Sequence, residues 1–205
     1  MPQAVEIFQL AFAEEHAARF RGRVLPTAFV DVWRFLLDAE PQGFLAARED
    51  GRLLGYAIFV RSLRAIQRKA VLSGAALRWA ARALGGAFDL RLRSMWRIVR
   101  NKALFLTSER RYRSIGDAQL LNVAVHPQAR GRGVATALVS EGLRLLQTLG
   151  VPEVRLEVRP WNAAALAVYA RTGWREVGRT RDLEGEWVVM VANPGWPIPA
   201  GVPRG

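Results

Sequence analysis

Residues 128–135, "QARGRGVA", join an apolar stretch, "LLNVAVHP", to a long amphipathic one, "TALVSEGLRLLQTLG". Gly131 and Gly133 stand two apart, flanked by Arg130 and Arg132. Glycine lets backbone amides come close to a ligand, and the unpaired amides and dipole of a helix N-terminus favour an anion. The chemistry suggested is the holding of phosphate. A flexible linker before a helix is the plain alternative, and a bare Gly-x-Gly does not separate the two. Two phosphate loops are excluded. A P-loop needs Gly-Lys-Ser/Thr, and no Lys-Ser/Thr pair exists. A dinucleotide fingerprint needs three glycines directly off the strand; here Thr136 stands at the third, and His126 to Arg130 intervene.

Little else offers chemistry by type alone. There is no cysteine, which rules out disulfides, thiolate metal sites and a thiol nucleophile. His16 and His126 are the only histidines, so no metal site is expected. They read as a helix-surface residue and a turn residue. Ser140 falls mid-helix, without a nucleophile elbow.

The elements that must carry the loop follow from periodicity. Residues 5–10, "VEIFQL", alternate weakly and read as a first strand. Residues 13–20 read as a helix with acids in its first turn. Thr27 reads as the cap of a helix over 28–39, ended before Pro41. Residues 43–49 and 52–60 flank Asp50-Gly51, a hairpin turn signal. Residues 62–84 have helical spacing with Gly85-Gly86 as a stop, and 87–106 are a second helical segment. Then come a strand at 119–125, a helix at 134–150 stopped by Gly150, and a strand at 151–158. A helix follows from Asn162 to Gly173, and a last hairpin spans 174–192. The order is β-α-α-β-β, insertion, β-α-β-α-β-β, which is a mixed α/β sheet. The expectation is one domain over 1–192, interrupted by a helical insertion at 61–113 after the third strand, with a Pro/Gly-rich tail at 193–205.

"LLNVAVHPQARGRGVATALV" resembles the acetyl-CoA-binding core of the GNAT acetyltransferases. Their motif, Arg/Gln-x-x-Gly-x-Gly/Ala, fits in two frames, Gln128 to Gly133 and Arg130 to Ala135. "LEVRPWNAAALAVYARTGW" also resembles the family, and is especially like its N-terminal-protein and ribosomal-protein members. The resemblance covers about 117–191, extends to 1–60, and is absent over 61–113. It implies a mostly antiparallel twisted sheet flanked by helices, and acetyl-CoA as co-substrate with no metal. It further implies that Arg130, Gly131, Arg132, Gly133, Val134 and Ala135 hold the pyrophosphate. The backbone of Leu121, Val123 and Val125 would then bond the pantetheine arm as an added strand, with the Val123 amide polarising the acetyl carbonyl.

Asn162 matches an asparagine that contacts coenzyme A; as a helix cap it has a second use. Tyr169 matches the tyrosine that protonates the departing thiolate; as a core aromatic it needs no such role. Glu157 matches the catalytic glutamate of ribosomal-protein acetyltransferases; as an ordinary strand residue it merely pairs with a cation. Where many family members carry a glutamate in the fourth strand, this chain has Gln119, which takes no proton. Asp117, two residues earlier on the same face, or a water relay are the other bases. The implied activity is direct acetyl transfer to an amine of a small molecule or protein. The missing acid at Gln119 leaves open a non-catalytic acyl-CoA-binding module that recruits a partner or membrane.

Charge sets the insertion apart. Residues 61–113 hold 14 basic and 2 acidic side chains, 14 − 2 = +12, which is the whole net charge of the chain. The other residues hold 16 of each sign. Three readings stand. The arginines are solvated on helices that pack on the domain or pair with a second copy as a homodimer. Alternatively, basic amphipathic helices with Trp79 and Trp96 lie on a membrane surface. Or the segment binds an acidic acceptor. Nucleic acid is not favoured, because no stacking aromatics are clearly placed. The N-terminus lacks a signal-peptide pattern, and no long uncharged apolar run exists, so the expected location is cytoplasmic.

Overall fold

A computed structural model describes residues 2–11, 26–84, 116–183 and 185–195. The expected helices at 13–20 and 87–106, His16, Trp96 and the tail from 196 on lie outside the described residues.

The first element corrects the sequence reading. Residues 5–10 are not a strand but part of helix α1, Pro2–Ala11. Proline suits a first helical position. Ala4 and Ile7 are buried three apart, and Phe8 meets the Trp33 ring edge-on at 5.2 Å. That spacing belongs to a helix face, and the weak alternation was incidental. Helix α2 spans Pro26–Ala39, so Thr27 lies inside it rather than capping it.

Strands β1 (Phe44–Glu49) and β2 (Arg52–Val60) form the expected hairpin, with Asp50 and Gly51 both at positive φ. Next come α3 (Leu63–Leu72) and α4 (Ala75–Leu84). The sequence suggested one helix here, but Ser73 and Gly74, with φ +70°, break it in two. Strand β3 (Ala118–Val125), helix α5 (Val134–Thr148), strand β4 (Val154–Val158), helix α6 (Ala163–Arg171) and strands β5 (Arg175–Asp182) and β6 (Gly185–Ala192) complete the chain.

The described residues form one sheet of six strands, ordered β1-β2-β3-β4-β6-β5. Every neighbouring pair is antiparallel except β3 and β4. One face carries Ala57, Phe59, Leu120, Val154, Leu156 and Val158 against α5 and α6. The other carries Tyr56, Ile58 and Ala124 against α1 and Trp33 of α2. Helix α5 lies close on β2 because Gly142 leaves room for the Phe59 ring; a Cβ there would fall 2.0 Å from Phe59 Cε2.

The insertion is rooted between β2 and β3, which are direct neighbours. Val60 pairs with Gln119, and Leu63 N donates to Asp117 O at 3.0 Å. Its helices pack on α2. Trp79 meets Phe35 edge-on at 5.2 Å, and Lys69 Nζ donates to Asp38 O at 3.3 Å. A cleft of about 530 Å³ lies between α2 and α4, lined by Asp31, Arg34, Phe35, Asp38, Arg78 and Trp79.

Candidate active site

The site begins where β3 and β4 stop pairing. Their parallel ladder has two rungs, Ala118–Val154 and Gln119–Arg155, although β3 runs on to Val125 and β4 to Val158. Beyond Gln119 the edge of β3 that faces β4 has no strand partner among the described residues. A bulge falls at the same place. Ile58 pairs with Asn122 and Phe59 with Leu120, so Leu121 is the extra residue. A bulge bends its strand and re-aims the groups around it. Val123 and Val125 lie opposite Ala57 and Gly55, three residues and one residue from the bonded pair that His126 N makes with Leu54 O. Hydrogen bonding therefore alternates past them, and their own amides and carbonyls turn to the open edge.

The free edge leads into the glycine loop, and that loop is not a slack linker. His126 N donates to Leu54 O at 2.8 Å, and His126 Nδ1 accepts from Gln128 N at 3.3 Å. Residues 127–129 form a 3-10 turn with Ala129 buried. The Arg130 amide is spent within this turn, on Pro127 O at 3.2 Å. Only the amides after it remain for a ligand. Gly131 and Gly133 have φ of +75° and +78°, and a Cβ on either would meet nothing within 4 Å. They are therefore needed for the left-handed turn that aims the amides, not for clearance within the chain. Gly133 caps α5 without a side chain, and the first helical bond is Ala137 N to Gly133 O. The amides of Val134, Ala135 and Thr136 are thus the helix's own open donors.

Of the two loop arginines, Arg130 is exposed, whereas Arg132 reaches Glu49 of β1 at 2.5 Å. Hydrogen bonding and then charge attraction hold Glu49 below and Arg132 above their ordinary pKa values. The loop's fixed anion donors are its amides, with Arg130 as the cation beside them.

The acid and base candidates fall on opposite sides of the sheet. Tyr169 of α6 packs among Leu156, Val158 and Trp174, with its ring 5.8 Å from that of Trp174. Burial pushes its phenol up to about 12, so it keeps its proton. Glu157 alternates with Leu156 and Val158 and so points to the other face. Glu157 Oε1 lies 3.2 Å from Arg155 Nε. With its amide oxygen toward the guanidinium, buried Gln119 accepts from the same Nε at 2.9 Å. The family's usual acid position is thus filled by an amide clamped to Arg155, two residues from Glu157.

Asp117 is committed elsewhere. Its carboxylate accepts from Ser62 Oγ and from Arg64 N, at 3.2 Å, and so caps α3 alongside Ser62, which accepts from Ala65 N at 3.0 Å. Asn162 accepts from Ala165 N at 3.1 Å and caps α6, as its position suggested.

Sequence reasoning missed a buried cluster at the end of β4. Arg159 forks onto Asp182 through Nη1 at 3.2 Å and Nη2 at 3.1 Å, and lies 3.7 Å from the Trp187 ring centre. Trp187 Nε1 donates to Asp182 at 2.9 Å. The signal was there in "VRLEVR": charged residues at 155, 157 and 159, in period two with a buried apolar face, demand partners on the second face.

A family model described as "Acetyltransferase (GNAT) family" matches residues 5–174. The chain belongs to the GNAT acetyltransferase family. The match takes in residues 5–60 and runs on through 61–113. Among curated relatives it resembles the [Ribosomal protein bS18]-alanine N-acetyltransferase of Salmonella typhimurium, 40% identical over 62 residues. It also resembles the mycothiol acetyltransferase of Clavibacter michiganensis subsp. michiganensis, 41% identical over 61 residues. Each match takes 30% of this chain, and covers 42% and 20% of those relatives respectively. Among solved structures, a chain of "the NatC complex bound to Gag peptide and CoA" shares the fold, with TM-score 0.53 and 15% identity over 94% of this chain and 92% of that chain.

Proposed function

We propose that this GNAT domain is an N-acetyltransferase that moves an acetyl group from acetyl-CoA directly to an amine. The observation that supports it best is the two-rung ladder between β3 and β4, whose open β3 edge runs into the open amides of α5. An extended pantetheine arm adds to such an edge as another strand does, and a pyrophosphate suits a helix N-terminus. In this reading the amides of residues 131–136 and the Arg130 side chain hold the pyrophosphate, and Leu121 to Val125 hold the arm. The Val123 amide stabilises negative charge on the acetyl oxygen.

The amine nitrogen bonds to the acetyl carbon and the carbon–sulfur bond breaks. The amine's proton passes to Glu157, directly or through water. Tyr169 donates to the departing sulfur. The acceptor class is an amine of a protein or small molecule; both kinds appear in the names of the relatives above. The cytosol is the proposed location.

A second reading has one observation behind it. Gln119 is buried on Arg155 and cannot serve as a base, which suits a module that binds acyl-CoA without turnover. Thiol release from acetyl-CoA across a broad amine panel, with mass spectrometry of the product, separates the two. An acetylated amine supports the transferase; tight binding with no thiol release on any amine rejects it in favour of the module.

A further inference from the structure

The insertion presents a surface that acetyl transfer does not explain. Val71, Leu72 and Leu77 are 68%, 78% and 74% exposed, the most exposed large aliphatic side chains among the described residues. They bracket the Ser73–Gly74 reversal, so they crown the tip of the α3–α4 hairpin. The inner face of α3 is already used: Ile66 and Ala70 are buried. These aliphatics therefore belong to an outer face that the described chain leaves uncovered. Along α3, Arg68, Val71 and Leu72 are spaced i, i+3 and i+4, which puts a cation and two aliphatics on one stripe, while Arg64 nearer the root lies 3.7 Å from Asp117. Residues 61–84 carry six basic side chains, Arg61, Arg64, Arg68, Lys69, Arg78 and Arg82, and no acidic one.

We infer that the tip of the α3–α4 hairpin docks this protein onto an anionic lipid bilayer, with Val71, Leu72 and Leu77 entering the headgroup–acyl boundary and the surrounding cations meeting lipid phosphates. Charge complementarity selects this occupant. A bilayer surface offers anionic headgroups and apolar depth together. A second copy would bring one basic hairpin tip against another, since Arg61 and Arg64 pair with Glu40 and Asp117 at the root and the remaining four cations of residues 61–84 have no acid among them. A nucleic acid would reward stacking aromatics rather than aliphatics. The aromatic residue of these two helices, Trp79, is turned inward onto Phe35.

Vesicle flotation of the full chain tests the idea, using pure phosphatidylcholine vesicles and vesicles with about one third phosphatidylglycerol. The intact protein should float with the anionic vesicles and not with the neutral ones, less so in high salt. A V71S/L72S/L77S variant should lose roughly tenfold or more in partitioning at unchanged Tm, because the three side chains face out. R68A should weaken binding by a smaller factor. Four results overturn the inference. The intact protein stays unbound, or the triple variant floats like it. The triple variant melts several degrees lower, meaning that the chain itself covers these residues. Or the patch drives dimerisation without lipid and the variant abolishes it. Thiol release by the soluble enzyme is a separate readout, so failure here leaves the acetyltransferase reading untouched.

Discussion

At the scale of single residues, the decisive contrast is between Tyr169 and Glu157, which approach the parted strands from opposite faces of the sheet. Tyr169 keeps its proton because burial raises its pKa to about 12, against 10.0 for the free phenol. A coenzyme thiol of ordinary pKa, about 8.5, needs only moderate help in leaving. Tyr169→Phe should therefore lower kcat roughly tenfold to a hundredfold and change KM for acetyl-CoA little, as steady-state thiol release would measure. Glu157→Gln should cost about a hundredfold or more in kcat if it takes the amine's proton, with acetyl-CoA affinity kept. An unchanged rate would move the base to water. The raised phenol also makes a stability claim. Its folded pKa lies above its unfolded one, so the unfolded chain ionises first as pH rises. That contribution is intact below pH ~10 and is lost between about 10 and 12, as tyrosinate absorbance against unfolding should record. Tyr56, also raised by burial, pushes the same way.

At the scale of elements, the geometry rests on how closely α5 sits on β2. Gly142→Ala would drive a methyl into Phe59, an overpacking that costs about 1–3 kcal/mol. Thermal melting should show the loss, and KM for acetyl-CoA should rise with it, because tilting α5 re-aims the amides at its start. Gly133→Ala has open space but a left-handed backbone, and should cost about 1–2 kcal/mol while weakening acetyl-CoA binding. Elements of this kind were legible in the sequence wherever local signals agreed. Asp50-Gly51, Gly150 and Asn162 each marked a real turn, stop or cap. The opening segment was misread because six residues of weak alternation do not outweigh Pro2 and a burial pattern visible only once β2 and Trp33 are in place. The Ser73–Gly74 break was passed over because one glycine within a helical run is usually tolerated. The left-handed glycines and the open helix start were legible in the sequence, but the loss of the Arg130 amide to Pro127 and of Arg132 to Glu49 depends on contacts that spacing alone does not encode. Asp117 likewise looked like a base by its face on the strand, and became a cap through Ser62, 55 residues away.

At the scale of the whole molecule, the question is whether the 53-residue insertion is part of the enzyme or an attachment to it. The root of the insertion gives a way to ask. Val60 and Gln119 are already paired, so deleting 61–113 leaves five residues, 114–118, to close a β2–β3 hairpin. Five is within the usual range for such loops. The deletion removes nothing from the free edge of β3, the glycine loop or α6. It does uncover Phe35 and the cleft side of α2, so Tm should fall without the fold being lost. Acetyl-CoA binding, followed by calorimetry, should stay within about threefold of the full chain, since none of the proposed contacts is touched. Turnover of the acceptor should fall much further, because the insertion walls the cleft beside α2 and sits on the same side of the sheet as Arg155 and Glu157. Equal loss of both would mean that the insertion is built into the cofactor half after all. Full turnover without it would leave the insertion with membrane docking alone, and the acceptor would then be recognised by the six-stranded domain itself.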